Sequence, residues 1–192
     1  MSHRLFPVFA TLLVLVATGI MVGLGFWQLQ RLGEKEALLA SYQTGHRSTA
    51  DVRWPSSAKA AEKVLYRHSR LLCEQVVGHS GIAGRSARGE SGIAQYAQCV
   101  LPDRTQAKVV MGWSRDPSNV GDWRGGEVRG IIAPGPRLVA DPPLGGLAAN
   151  AAPDPSEIPN NHLAYAVQWF LFAATALIIY AVAVWRRLSA RP

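Results

Sequence analysis

The sequence is short of nearly everything that hydrolytic, nucleotide-dependent or metal-dependent chemistry needs. Its 192 residues contain no GxSxG, HExxH, P-loop or GxGxxG segment, so most hydrolases, ATPases and dinucleotide enzymes lose their usual anchors. Only two cysteines occur, Cys73 and Cys99, with no CxxC, CxxxC or HxxxH nearby, which argues against a thiolate copper or zinc site. His46, His68 and His79 stand singly. Asp51, Asp103 and Asp116 sit beside proline or turn residues and read as turn formers. The basic residues form no Lys/Arg run, no zinc-finger spacing and no aromatic-basic stripe, so no nucleic-acid partner is expected. These absences together argue against an enzyme.

Charge is also missing from two long stretches. No charged residue lies between Arg4 and Arg31, or between His162 and Arg186. At about 1.5 Å per helical residue, the stretch from Leu163 to Trp185 reaches roughly 35 Å, against a hydrocarbon core of about 30 Å. The first stretch runs unbroken to Phe26-Trp27 and on into a charged helical segment, longer than the apolar part of a cleaved signal, so it is expected to be retained. The expected order is a tail at 1–4, a transmembrane helix at 5–30, a central domain at 31–162, a second transmembrane helix at 163–185 and a tail at 186–192.

All 13 acidic residues and 16 of the 20 Lys and Arg fall in the central domain. The tails carry Arg4, Arg186, Arg187 and Arg191, and no Lys or Arg occupies the twenty residues before His162. By the positive-inside rule this bias favours both termini in the cytoplasm and the central domain in the periplasm. Met1 to Arg4 lead straight into the span without an Arg/Ser-rich transit segment, which favours a bacterial inner membrane.

Past the first span, Arg31–Leu39 continues with helix formers, and the helix is expected to end near Thr44-Gly45. Ser56 or Ser57 can cap a short helix through Val64. From residue 65 the pattern turns strand-like, over 65–77, 92–101, 107–113, 127–133 and 137–140, bounded by glycines, which predicts antiparallel hairpins. Residues 78–91, rich in Gly and Ser, read as a flexible hairpin loop. The fold class is thus membrane α+β, two transmembrane helices flanking a small antiparallel β-rich periplasmic domain with one or two short helices. Cys73 and Cys99 lie almost symmetrically about that loop, so a hairpin would set them opposite each other. They form either a disulfide or a pair of small buried side chains.

The two spans carry their polar residues at the ends that border the central domain: Trp27, Gln28 and Arg31 on the first, and His162, Tyr165, Gln168 and Trp169 on the second. His162, Tyr165 and Trp169 share a helix face, and Trp27 and Arg31 are neighbours one turn apart. Two readings are open. The residues are interfacial anchors that set span depth, or they meet a planar anionic ligand: a neutral His can ligate iron, an Arg can pair with a propionate, and Trp or Tyr can stack on a macrocycle. Gln168, within an apolar helix, is expected to face protein rather than lipid. Gly19 and Gly23 form a GxxxG that could face the sister span or a neighbouring subunit.

The run from Gly25 to Lys35 (GxWQxxRxxxK), a strand ending in Gly112-Trp113, the Val128-Arg129-Gly130 strand and the run from Asn160 to Phe170 (NxHLxYAxQWF) resemble the surfeit-locus family of cytochrome c oxidase assembly factors. The end motifs match in order and placement, the central strands more loosely, and Ser114-Arg115 depart from the family's continuation. The resemblance implies a two-span inner-membrane protein that helps install haem a in oxidase subunit I, with haem a synthase as a further partner. It makes His162 the haem-iron ligand, and Trp27, Gln28, Arg31, Tyr165 and Trp169 the other motif positions. The rival expectation is an accessory protein that stabilises an oxidase subunit, or remains with the respiratory complex, without touching haem.

Overall fold

The computed structural model describes residues 5–189. The tail assigned to 1–4, with Arg4, and the end of the second tail at 190–192, with Arg191, lie outside the described residues. Of the described residues, 5–38 and 159–189 form one compact unit and Leu39–Ile158 a second.

The first unit is an antiparallel helix pair. Helix α1 runs Leu5–Arg47, longer than the expected end at Thr44-Gly45, and α3 runs His162–Ser189. Both contain stretches long and apolar enough to cross a membrane. Their less exposed positions follow a heptad: Thr11, Val14, Thr18, Met21, Gly25, Gln28 and Leu32 on α1 alternate steps of three and four, as do His162, Ala166, Trp169, Ala173, Ala176 and Tyr180 on α3. A 3.5-residue repeat keeps one seam facing the partner helix. The most buried members are small, Thr18, Ala166 and Ala173 at 8%, 1% and 4% exposure, the residue sizes that helix–helix seams in lipid favour. The seam is polar at both ends. Thr11 and Tyr180 hydroxyls bond at one end, and Gln28 and His162 at the other.

Gly19 and Gly23 are not on this seam. A Cβ built at either meets nothing within 4 Å, because both lie on the far side of α1 from Thr18 and Gly25. The glycine that the seam requires is Gly25. A Cβ there would stand 2.5 Å from Phe170 Cε1.

The second unit is a seven-stranded sheet in the order β1-β2-β6-β7-β5-β4-β3. The strands are β1 (Val52–Arg53), β2 (His68–Cys73), β3 (Gln75–Arg85), β4 (Ser91–Val100), β5 (Gln106–Ser114), β6 (Gly126–Ala133) and β7 (Arg137–Ala140). The sheet is mixed rather than wholly antiparallel. The β6–β7 hairpin inserts β7 beside β5, and those two strands are parallel, as are β1 and β2. β2 and β3 are separated by Glu74 alone, yet β2 pairs with β6 at one side of the sheet and β3 with β4 at the other. One nearly continuous strand serving both sides forces the sheet to curl on itself. Leu71, Val109, Met111, Val128, Ile132 and Leu138 fill the concave face.

Helix α2 (Ala58–Glu62) is capped by Ser57, whose hydroxyl accepts from the Ala60 N–H. A 3-10 turn, Pro155–Glu157, leads toward α3. The last turns of α1 belong to this second unit, where the Tyr42 ring lies 5.2 Å from that of Tyr66.

Residues 78–91 are not a loop. Strand β3 runs through Gly78, Gly81 and Gly84 to Arg85, and the turn is confined to Ser86–Glu90, closed by Ser86 N–H to the Glu90 carbonyl. Small residues suit an edge strand of this kind, since close neighbours such as Ile93 and Gln95 occupy the space their side chains would take. Cys73 and Cys99 are joined by a disulfide with Cα atoms 5.3 Å apart, but they do not face each other in a hairpin. Cys99 is in register with Val76 and Cys73 with Gly126, so the bond links β2 to β4 across the curl. Asp103 and Asp116 hold turns through Thr105 and Ser118. Asp51 instead accepts from Arg70 at 2.5 and 2.9 Å and from Arg129 at 3.2 Å. The Arg70 hydrogen bonds, with Arg129 adding its charge, hold its carboxyl below the usual range.

Candidate functional site

The polar end of the helix pair gathers most of the residues singled out by sequence. Pro159 and the two asparagines break the chain before α3, and the Tyr165 N–H returns to the Asn161 carbonyl, so His162 opens the helix in its first turn. Its ring lies on the seam, and Nδ1 is 2.7 Å from Gln28 Oε1 in a partly buried contact. With a carbonyl oxygen as partner, Nδ1 carries the proton and donates it. In the neutral ring the lone pair is then on Nε2, the arrangement in which an imidazole ligates a metal.

About two turns along α3 from His162, Phe170 packs edge-on against Phe26, centroids 5.4 Å apart and planes at 75°, directly over Gly25. Trp169 is half-buried on the seam and meets Phe172 edge-on at 6.1 Å. The Phe26–Phe170 contact fixes how the two helices are rotated against each other, and with it the direction of His162.

The other candidates are not all drawn in. Trp27 and Tyr165 are each 52% exposed, on the outer shoulders of the pair. Arg31 is half exposed and forms an ion pair with Glu34 of its own helix at 2.5 Å, while Gln30 donates to the same carboxylate at 3.1 Å. Gln168 is exposed rather than facing protein within this chain. Six residues beyond His162, it lies about 120° round the helix from the seam.

Two residues contribute in ways that sequence reading missed. Gly25 was noted only as part of a motif, and the steps of three and four that connect it to Thr18 and Gln28 are the signal that would have placed it on the seam. Asn160, just before α3, has its Oδ1 buried with no hydrogen-bond partner among the described residues.

The architecture defines a class, a two-helix membrane anchor carrying a curled, disulfide-linked β unit, with a histidine held at one end of the helix pair. The SURF1 family model matches residues 15–174, and the chain belongs to the SURF1 family. No curated protein matches the chain. The family is associated with cytochrome c oxidase assembly, so a respiratory complex is the partner and the inner membrane the setting.

Proposed function

We propose that the protein assists the insertion of haem a into cytochrome c oxidase subunit I, holding haem as a transient cargo and performing no catalysis of its own. The observation that carries this reading is the His162–Gln28 hydrogen bond at 2.7 Å. A histidine serving only as an interfacial anchor needs no tautomer. One bonded through Nδ1 to an amide oxygen is set up to offer Nε2 to iron, and a partner of this kind orients the ring.

The surrounding residues suit a planar dianion. Arg31 is bound to Glu34 through an exposed pair one turn apart, worth only about 0.3 to 0.5 kcal/mol, so a propionate that offers two oxygens can displace it. Trp27 on α1 and Tyr165 on α3 each leave about half of an aromatic side chain exposed, surfaces on which a macrocycle can stack. The cargo supplies an open iron position. The protein supplies orientation, charge compensation and a site at the end of the spans from which transfer proceeds by docking on subunit I, with haem a synthase as the donor. The charge bias supports a periplasmic β unit with both termini in the cytoplasm.

The outward exposure of Trp27 and Tyr165 favours a second reading, in which the aromatics are anchors and the protein stabilises an oxidase subunit, or stays with the complex, without haem. Purification after coexpression with haem a synthesis separates the two. The haem reading expects retained haem that is lost in His162→Ala, with lower haem a occupancy in the oxidase. The accessory reading expects no haem in either protein and an unchanged occupancy per assembled complex.

A further inference from the structure

A second polar cluster lies wholly within the β unit, on the convex face of the sheet. Strand register sets Gln98 of β4 beside Lys108 of β5, and Lys108 beside Arg137 of β7. The fourth position of this row, on β3, is Gly78, which leaves the Gln98 amide uncovered. In the next row Ser80 stands beside Tyr96. These side chains, with Ile82, line a groove of about 220 Å³.

Lys108 and Arg137 are like charges at directly paired positions on neighbouring strands, an arrangement that destabilises a sheet unless something compensates it. No carboxylate lines the groove, and among the described residues neither cation is in a salt bridge. Arg137 is partly fixed, donating through Nη1 to the Pro134 carbonyl, which leaves its other N–H groups for a ligand. An ammonium, a guanidinium, an amide and a hydroxyl thus converge beside the ring of Tyr96.

We propose that this groove binds a phosphate group. Two positive charges suit the one or two negative charges of a phosphate group, and donors arriving from four side chains suit its several oxygens better than the two of a carboxylate. The phosphate has two chemical sources, a soluble phosphate or the headgroup of an anionic phospholipid. The inference is independent of haem, since it uses no residue of the helix pair.

The test titrates inorganic phosphate into the full chain in nanodiscs of phosphatidylcholine, followed by calorimetry. Saturable binding is expected, weakened about tenfold or more in Lys108→Gln and in Arg137→Gln and largely kept in Lys108→Arg. Among the described residues Lys108 makes no side-chain bond that its substitution would break, so its variants separate loss of binding from loss of folding, which near-ultraviolet circular dichroism monitors. Repeating the titration in discs containing phosphatidylglycerol distinguishes the sources. A headgroup ligand lowers the apparent phosphate affinity of the unaltered chain but not the residual affinity of Lys108→Gln, whereas a soluble ligand gives the same affinity in both discs. Absence of saturable phosphate binding, or binding that both Gln variants retain in full, overturns the proposal.

Discussion

Replacing Gln28 with Leu removes the acceptor of the His162 Nδ1 proton while keeping a side chain of similar size in the seam. The contact is short, 2.7 Å, and partly buried. Its loss costs about 0.6 to 1.5 kcal/mol of helix-pair stability, the range spanned by hydrogen bonds between membrane helices and by typical intramolecular ones. The functional cost is larger than the structural one. Without an acceptor at Nδ1 the ring is free to place its proton on Nε2, the atom required for ligation, and loss of such an outer partner lowers metal affinity about 10- to 100-fold, or roughly 1.4 to 2.7 kcal/mol. Nitrogen-15 shifts of the labelled imidazole in nanodiscs should show a protonated Nδ1 in the unaltered chain and a mixture of tautomers in Gln28→Leu, with haem titrated in parallel. A Gln28→Leu protein that binds haem with unaltered affinity while His162→Ala binds none would refute the tautomer argument. Haem binding unaffected by His162→Ala would refute the site itself.

Gly25→Val should separate the helix pair, because even its first carbon would fall 2.5 Å from the Phe170 ring; about 1 to 3 kcal/mol of overpacking is expected, read as faster proteolysis in micelles and loss of the Gln28–His162 contact. Gly130→Ala should destabilise the β unit by at least as much, since a Cβ there would lie on the backbone carbonyl of Val139, and a lower melting temperature by circular dichroism is the measure. Removing the disulfide as Cys73→Ser with Cys99→Ser opens a link spanning 26 residues, which the chain-entropy relation values at about 3.5 kcal/mol, to be checked by denaturant midpoints with and without reductant. Asp51 titrates lower in the folded chain than unfolded, so its contribution is present above the unfolded carboxyl range and is lost as pH falls through the folded value. Asp51→Asn should therefore flatten the acid limb of stability against pH while leaving a deficit at neutral pH.

The parts of the fold legible in sequence were those governed by local pattern. Charge-free runs mark helices because a bilayer tolerates little else, and alternation marked β4, β5, β6 and β7 to within a residue or two. What local pattern does not contain is the pairing. Residues 65–77 read as one strand, yet Cys73 ends β2 against β6 and Gln75 begins β3 against β4. The switch depends on curling of the whole sheet, to which no short window responds. The same ignorance made a right geometry rest on a wrong reason at Cys73 and Cys99, where the symmetry of the chain about residue 85 suggested opposed positions and the actual link is between strands that are not neighbours. Gly and Ser in 78–85 misled for a related reason. Their weak strand preference reflects side chains with nothing to pack, and an edge strand whose neighbours already fill the space does not require them.

At the helix pair the types of residue were legible and their relations were not. His162, Trp169 and Gln28 could be named from motifs, but which of them face one another depends on helix rotation, set by Gly25, Ala166 and Ala173, residues with no chemistry of their own. A small residue at the seam determines where a large one points. Gly19-xxx-Gly23 had the familiar spacing, yet a pair of glycines four apart defines a face only if that face continues, and here the steps of three and four run through Thr18 and Gly25 instead. The histidine's chemistry follows from that placement. The seam that buries Ala166 and Ala173 carries His162 onto Gln28, so the atom left for iron is decided by packing several turns away, and substitutions that shift the seam should alter haem affinity without touching the ligand.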